Sequence, residues 1–596
     1  MVIRSHRGLR LEVTSRPMSG PLVPGGRGFA GLYAALLVAA GALLVALLVV
    51  PTVLTAGSAL GSPRWLHLGH LARVFTDQDS RRAFLNTIGW LVVALVLVLV
   101  GFWIALLSRR LGRWSVVFVN VLMLPFGLSA LASGAAFRII FDPAPERGTA
   151  TALLTYLFGG SPVWLGPWWV WWVLVSAFAW TWLGFVVSLF RAGLEAIPPE
   201  LIRRARLQGP TGWLDGVWRL QWRMLRPVTA VVVLTLLVAA ARIFDLVLIV
   251  VPVPMQDEVD VVSVRWWRLT TSATEQGEPA AIALVLLAVV AAAALAARKG
   301  MRIPHGVPQP PPPWWRRQLL AGWRRRVPWL SGTVGIAVGL LWAFPLFVLV
   351  ATAVREPGDA GLLGWWQPAS HLLSLASLAE VWNAGLPGAL LGTLGVATGS
   401  ALLVVSIAVV PAHALAAGVV RGRALTVVLA VLSVLAVLPV QMYVGPLRQA
   451  FTAVGLSGSR LPLVMMHAAA GLPFAILLLR AALSAGNEGR YADALGGLTG
   501  YRTGATRVWR TTGPALVAVA VVEFVLVWDD FIVSFLVSGP GASPLTLVLW
   551  GEARQFATST GPVAAAAVVS AAVPSILLLL TWRRWVVPGL TGGVLR

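Results

Sequence analysis

Ala297 to Trp329 reads ARKGMRIPHGVPQPPPPWWRRQLLAGWRRRVPW, a polar interruption in a chain that is otherwise dominated by Leu, Val, Ala and Gly. Its eight basic residues and its lack of acids mark it as a cytoplasmic segment. The consecutive prolines favour extended polyproline II, so it acts as a semi-rigid spacer. On both sides of it, apolar runs of about 20 residues recur, the length a helix needs to cross roughly 30 Å of hydrocarbon. We expect spans near 29–55, 84–107, 114–140, 168–190, 227–249 and 279–297 before the spacer. Six more follow near 329–354, 386–418, 424–440, 461–480, 514–536 and 562–582. An even number before the spacer returns the chain to its starting side, so both halves insert in the same orientation. The expected fold is an all-α polytopic membrane protein of about 12 transmembrane helices in two parallel six-helix halves. The first half is residues 1–297, the linker 298–328 and the second half 329–596.

Composition agrees. Of 596 residues, 58% are hydrophobic and only 12% charged, far more apolar side chain than a soluble core could hold. The net charge of +23 raises the possibility of nucleic-acid binding, but its distribution argues against a nucleic-acid partner. With a cytoplasmic N-terminus, the loops on that side carry 33 of the 46 basic residues, whereas 13 of the 23 acids fall on the opposite side. That is the positive-inside distribution, and it predicts a multi-pass protein of the plasma or inner membrane with both termini cytoplasmic. Lys299 is the one lysine; a bias spread over all loops reflects a GC-rich genome better than a site. With no cysteine, disulfide, thiol and Cys-metal chemistry are excluded. Arg4, Arg7, Arg10, Arg16 and Arg27 precede an apolar run too long for a cleaved signal peptide, so that run is expected to stay as the first span.

Each half keeps one long basic loop between its fourth and fifth spans. The first is RAGLEAIPPELIRRARLQGPTGWLDGVWRLQWRMLRP, residues 191–227, and the second is RAALSAGNEGRYADALGGLTGYRTGATRVWRTTGPA, residues 480–515. Ile197-Pro198-Pro199-Glu200 reads as a helix start, since proline is tolerated in the first turn and an acid there suits the dipole. Leu201, Ile202, Ala205 and Leu207 then alternate with Arg203, Arg204 and Arg206 up to Gly209-Pro210. Such a segment can lie on the inner leaflet. Its repetition in both halves favours a docking element for a two-fold partner.

Here the chain resembles importer permeases of the ATP-binding-cassette (ABC) type. In that family a Glu-Ala-Ala triplet, followed after three residues by Gly, forms a cytoplasmic coupling helix that seats in a groove of the ATPase subunit. Segments Leu194 to Gly209 and Gly497 to Pro514 are similar to that loop. In the first half, Asn86-Thr87, Phe141-Asp142-Pro143, Leu194 with Ile197-Pro198, and Phe244-Asp245 also fit. Gly455-Leu456, Leu472-Pro473-Phe474, Trp528-Asp529-Asp530-Phe531, Pro574 and the tail Gly589-Leu590-Thr591-Gly592-Gly593 fit the partner subunit of carbohydrate importers. The whole looks like the two permeases of a maltose or alpha-glucoside system fused into one chain. The resemblance implies ATPase docking through Glu200, Leu201, Arg203, Arg204, Ala205 and Gly209 in the first loop, and through Tyr491, Ala492, Asp493 and Gly497 in the second. It departs from the family in that Arg203-Arg204-Ala205 and Tyr491-Ala492-Asp493 occupy the triplet positions, so the signature glutamate is missing from both loops. The second half also lacks Asn-Thr at its second span.

Four acids fall inside expected spans: Asp245, Glu523, Asp529 and Asp530. A charge at the bilayer centre costs at least about 2.5 kcal/mol on insertion scales, so these should face protein or water. Arg242 lies three residues before Asp245, a spacing that shares a helical face. The two form either a neutralised internal pair or, with Phe244, part of a translocation path. Trp528, Asp529 and Asp530 suit a polar path, because sugar hydroxyls match carboxylates and an aromatic face. His413 and His467 read as hydrogen-bonded packing residues, and Trp168, Trp169, Trp171 and Trp172 as an interfacial belt.

No catalytic constellation, cofactor site or metal site is expected. There is no G-x-x-x-x-G-K-[ST] loop, so ATP hydrolysis would come from another polypeptide. Asp77-Gln78-Asp79 is the one enzyme-like hint, toward a lipid-linked glycosyltransferase, and reads better as a solvated loop. The expectation is a permease carrying a carbohydrate inward, with two ATPase subunits, an extracytoplasmic solute-binding protein and the bilayer as partners. Rival readings are a permease for a polyamine, thiamine or iron chelate, and a membrane glycosyltransferase.

Overall fold

The computed structural model describes residues 27–61, 68–111, 114–195, 222, 225–272, 276–300, 328–368, 370–371, 373–494, 501–539, 543–554 and 560–592. Among these the regular structure is entirely helical. The principal helices of the first half are α1 Tyr33–Leu60, α2 Gln78–Ser108, α3 Trp114–Met123, α4 Ala130–Ile140, α5 Val170–Glu195, α6 Arg226–Ala241, α7 Asp245–Val250, α8 Val262–Ser272 and α9 Gly277–Gly300. The second half repeats the series as α10 Pro328–Ala353, α11 Leu386–Ala416, α12 Gly422–Leu435, α13 Val444–Ala453, α14 Leu461–Ala494, α15 Tyr501–Trp528, α16 Ile532–Val537, α17 Leu545–Arg554 and α18 Thr560–Thr581.

Eight helices among the described residues are long and apolar enough to cross a membrane, nine if one bent pair counts as a span. The all-α polytopic expectation holds, and at particular expected positions the described helices are short or interrupted. Two expected positions hold shorter helices, Arg226–Ala241 and Gly422–Leu435, which at about 1.5 Å per residue reach only roughly 24 and 21 Å, whereas Tyr501–Trp528 runs on for 28 residues. The breaks at the third position have a proline cause, since Pro cannot donate its backbone N–H and disfavours helix in the residue before it. After α3 the chain tightens through Leu124-Pro125-Phe126-Gly127; Ser129 then caps α4 by accepting the Ala132 N–H at 3.2 Å, with a bend of 104°. After α12, Leu438-Pro439 leads through Val440–Met442 into α13.

Both halves pack alike, α2 against α5 and α6, and α11 against α14 and α15. On α2, Trp90, Ala94, Leu97, Val98 and Gly101 form the buried stripe, while Leu85, Ile88, Val92, Leu95 and Leu99 stay exposed on the face suited to lipid. At the start of α5, Trp168, Trp169 and Trp172 are exposed and Trp171 packs on Trp90. Where α5 crosses the end of α3, a Cβ on Gly184 would lie 1.8 Å from the Leu122 carbonyl, so only glycine fits.

The first helix of each half crosses to the other half. α1 packs on α11 and α13, with Tyr33 Oη 3.2 Å from His413 Nδ1 and the Thr55 hydroxyl donating to Met442 O at 2.8 Å. α10 packs on α3 and α4; the Trp342 indole donates to Leu122 O at 3.3 Å, and its own carbonyl accepts from Trp180 at 2.7 Å. The halves are thus clasped rather than laid side by side.

The Asn86-Thr87 pair has a visible task. Asn86 Nδ2 donates to the carbonyls of Glu258 and Asp260, and Thr87 Oγ1 accepts from Val262 N at 3.1 Å, pinning α8 to α2. In the second half Thr393 Oγ1 accepts from Leu545 N at 2.8 Å, the same bond between the equivalent helices. Gly392 stands where asparagine would be, with the Arg460 guanidinium in the space beside it.

Candidate functional site

The fifth helix of each half is interrupted, and the two interruptions face each other. α6 stops at Ala241; Arg242 N reaches back to Val238 O and Ala239 O, Ile243 and Phe244 are non-helical, and Asp245 opens α7, where an acid suits the helix dipole. α15 stops at Trp528, and α16 begins after Phe531. Asp530 Oδ2 accepts from Val533 N at 3.0 Å and Ser534 N at 3.1 Å, capping the new helix. The Phe244 and Phe531 rings lie 6.0 Å apart across the halves. Trp267 and Phe535 close the same aromatic layer at 5.8 Å from each other.

The break corrects one expectation directly. Arg242 and Asp245 do not share a helical face, because the helix ends between them. They remain near enough for the guanidinium charge to act on Asp245, as do the charges of Asp530 on Asp245 and of Asp245 on Asp529. Arg242 is exposed, while Phe244 and Phe531 are fully buried. The structure therefore brings Arg242, Phe244, Asp245, Asp529 and Asp530 to one junction. Trp528, 1% exposed, turns instead toward α18, where its indole N–H donates to Ser570 O at 2.9 Å.

Three further residues join this junction. His467 Nε2 stands 3.7 Å from Asp530 Oδ2. Tyr443 is buried within range of Arg242 and Asp530. Gln441 is buried two residues before it and donates to Ser263 Oγ at 3.1 Å across the halves. Gln441, a lone amide just after Leu438-Pro439, was detectable as a polar residue in an apolar run. His467, read from the sequence as a packing residue, stands instead beside Asp530, while Tyr443 carried no comparable signal. Glu523 is packed under Gly471, where a Cβ would lie 2.1 Å from its carboxylate, and its charge too reaches Tyr443.

Of the docking residues, Glu200, Leu201, Arg203, Arg204, Ala205, Gly209 and Gly497 lie outside the described residues, and Tyr491, Ala492 and Asp493 fall in the last turn of α14. The root of the first loop is described. Arg191 donates to Ser108 Oγ at 2.9 Å and Ser115 Oγ at 3.1 Å and pairs with Glu195 at 2.6 Å, clamping the end of α5 to the α2–α3 turn.

On the side opposite the linker, Asp77 and Asp79 are held by Arg265 at 2.9 and 3.4 Å, and Asp77 caps α2 through the Ser80 N–H. Burial works to raise the Asp77 carboxyl, but the Ser80 and Arg265 bonds outweigh it and hold it below its usual range. This pair is an anchor for α2. Nearby, burial pushes Asp260 up to about 6 against the opposing Arg268 guanidinium at 3.6 Å. Among the described residues, no group of three His, Asp or Glu side chains is placed to hold a metal ion.

Discontinuous helices that meet at the centre of a two-half, all-α membrane bundle define a transport protein. Comparison with known proteins points in the same direction. The chain is similar to the osmoprotective compounds uptake permease protein GgtD of Synechocystis sp., 27% identical over 267 residues, which are 43% of this chain and 89% of that one. It is similar to the alpha-glucoside transport system permease proteins AglF and AglG of Rhizobium meliloti. AglF is 25% identical over 39% of this chain and 69% of its own length, AglG 30% identical over 37% and 60%. A crystal structure of a bacterial ABC transporter involved in import of the acidic polysaccharide alginate overlaps 45% of this chain and 96% of that one, at 20% identity and a TM-score of 0.40. No protein-family model matches the chain. These relatives are permease proteins of uptake and transport systems, and each is similar over less than half of this chain.

Proposed function

We propose that this chain supplies the transmembrane part of an ABC importer for a carbohydrate, with two permease units fused into one polypeptide. The observation that carries the reading is the meeting of two interrupted helices at Phe244 and Phe531, with Arg242, Asp245, Asp529 and Asp530 around them. A continuous lipid-facing helix has no reason to keep such charges, whereas a path between two halves does. The relatives GgtD and AglF each overlap less than half of this chain, as a single unit of a fused pair would, and AglF, an alpha-glucoside permease, supports the solute class. Two separate ATPase subunits would engage the basic loops at 191–227 and 480–515, and a solute-binding protein would deliver the sugar on the opposite side. ATPase closure draws the loops together and rocks the halves, so that the junction opens alternately to each side. No bond of the solute is made or broken by this chain.

The experiment is purification of the tagged chain from its host, identification of the ATPase and binding protein that come with it, and reconstitution of the set in liposomes. ATP hydrolysis stimulated by a maltose-class sugar is the expected result. Stimulation by a polyamine, thiamine or an iron chelate, with no response to sugars, would replace the solute class. Transfer of a sugar to a lipid or polymer acceptor would replace the function.

A further inference from the structure

The seam between the halves is not packed evenly along its length. At Gly127, where a Cβ would lie 2.9 Å from Ser575 N, the turn after α3 touches α18 directly, and the Ser575 hydroxyl donates to Leu124 O at 3.4 Å. Toward the start of α3 a small cleft is left, with Asn120 and Leu124 on one wall and Leu579 and Trp582 on the other. Asn120 and Leu579 are exposed, so the cleft opens on the outer surface of the bundle. Its depth follows from α5. Ser115 accepts from Arg191 at the root of the first basic loop, whereas Trp582 packs on Phe185, about 9 Å further into the bundle.

The polar side chains of this cleft are donors without acceptors. Trp582 is 5% exposed and held by the Phe126 and Phe185 rings, yet its indole N–H has no hydrogen-bond partner. An indole nitrogen can only donate. Asn120 sets an amide on a face shared with exposed Val117, where hydrocarbon would leave it unbonded. Arg583 and Arg584 follow Trp582, are exposed, and lie in a turn of π-helix, a local widening that recurs at functional sites. No acid occurs in α3, in α18 or in α10, which packs on both.

We propose that this cleft binds the headgroup region of an anionic phospholipid. A phosphate or ester oxygen accepts from the Trp582 indole and the Asn120 amide, and the phosphodiester charge faces Arg583 and Arg584. The cleft has room for about one water-sized group, so a single lipid oxygen enters and the rest of the molecule lies along the outer surface. Exposed Val117, Ile576 and Leu580 provide that surface for the acyl chains. A basic, acid-free pocket between spanning helices favours an anionic over a zwitterionic lipid. The two walls belong to different halves, so a lipid bound here bridges them.

The test presents the full chain, purified in detergent, with equal amounts of dioleoyl phosphatidylglycerol and dioleoyl phosphatidylcholine, and reads retained lipid by native mass spectrometry. The wild type should keep phosphatidylglycerol at least about tenfold more than phosphatidylcholine. Asn120→Leu, and separately Arg583→Gln combined with Arg584→Gln, should each lower phosphatidylglycerol retention about tenfold, and Trp582→Phe about threefold or more. Arg423→Gln, at an exposed arginine near the start of α12, should leave retention unchanged. Elution volume and melting temperature check that each variant is folded; if Trp582→Phe is not, the variants at exposed positions still decide the matter. Equal retention of the two lipids, unchanged retention in Asn120→Leu and the double arginine variant, or an equal loss in Arg423→Gln overturns the inference. Displacement of phosphatidylglycerol by excess inorganic phosphate would make this a free-anion site and overturn the lipid assignment.

Discussion

At the scale of single residues, buried and bonded polar groups make this chain's behaviour predictable. Asp260 lies outside the spanning segments, and burial raises its carboxyl to about 6 in the folded protein. A carboxyl near 3.9 when unfolded and about 6 when folded favours the folded state fully below pH 4, and that contribution is lost as pH rises through 6. The difference is on the order of 2–3 kcal/mol. Melting temperatures measured from pH 4 to 7 should therefore fall more steeply for wild type than for Asp260→Asn, and parallel curves would remove Asp260 as the source. Arg191 gives a second residue-scale prediction. Its fork reaches Ser108, Ser115 and Glu195 together, which the single ammonium of lysine cannot reproduce. Arg191→Lys should insert normally yet lower solute-stimulated ATPase activity about threefold or more, and an unchanged rate would make the clamp merely local. Asp245, Asp529 and Asp530 were visible in the sequence as charges in apolar runs. That Asp530 caps a helix while Asp529 Oδ1 stays unbonded was not visible, because those roles depend on where the helix stops.

Helix continuity was partly legible at the scale of elements. Pro125 and Pro439 announce the breaks at the third position of each half. The breaks at Arg242–Phe244 and Asp529–Phe531 contain no proline or glycine, so hydropathy reads straight through them and the spacing of Arg242 and Asp245 suggests a shared face that does not exist. The helix crossing at Gly184 is a prediction at this level. Gly184→Val should cost on the order of 3 kcal/mol by driving a side chain into the Leu122 carbonyl, whereas Gly89→Ala, facing open space, should leave stability unchanged or slightly higher. Thermal melts of the two purified variants separate them; equal melts would contradict the close approach of α5 and α3. For the basic loops, bulky replacements at Gly209 or Gly497 should abolish uptake while insertion persists, since glycine permits turns that other residues resist. Wild-type uptake by both variants would sink the docking role of these loops.

For the whole molecule, the clasp of α1 on the second half and α10 on the first leads to the expectation that the linker only tethers. Coexpression of residues 1–310 with 311–596 should give a complex that copurifies and transports, and the tag on one fragment should recover the other. A protease added to inside-out vesicles should cut within Pro308 to Pro313, and one added to intact spheroplasts should not. Cleavage only from outside would invert the topology and remove both basic loops from the ATPase side. The sequence by itself determined an all-α polytopic membrane protein and the positions of its apolar runs, because hydrocarbon thickness and the need to satisfy every backbone polar group inside lipid leave helices as the economical solution for such runs. Tertiary structure alone decided that the first helices cross over, that the fifth helices break without proline, and that Gln441, Tyr443 and His467 join the aspartates of the other breaks. Those are contacts between residues up to hundreds of positions apart, and hydropathy, which is local, carries no term for them.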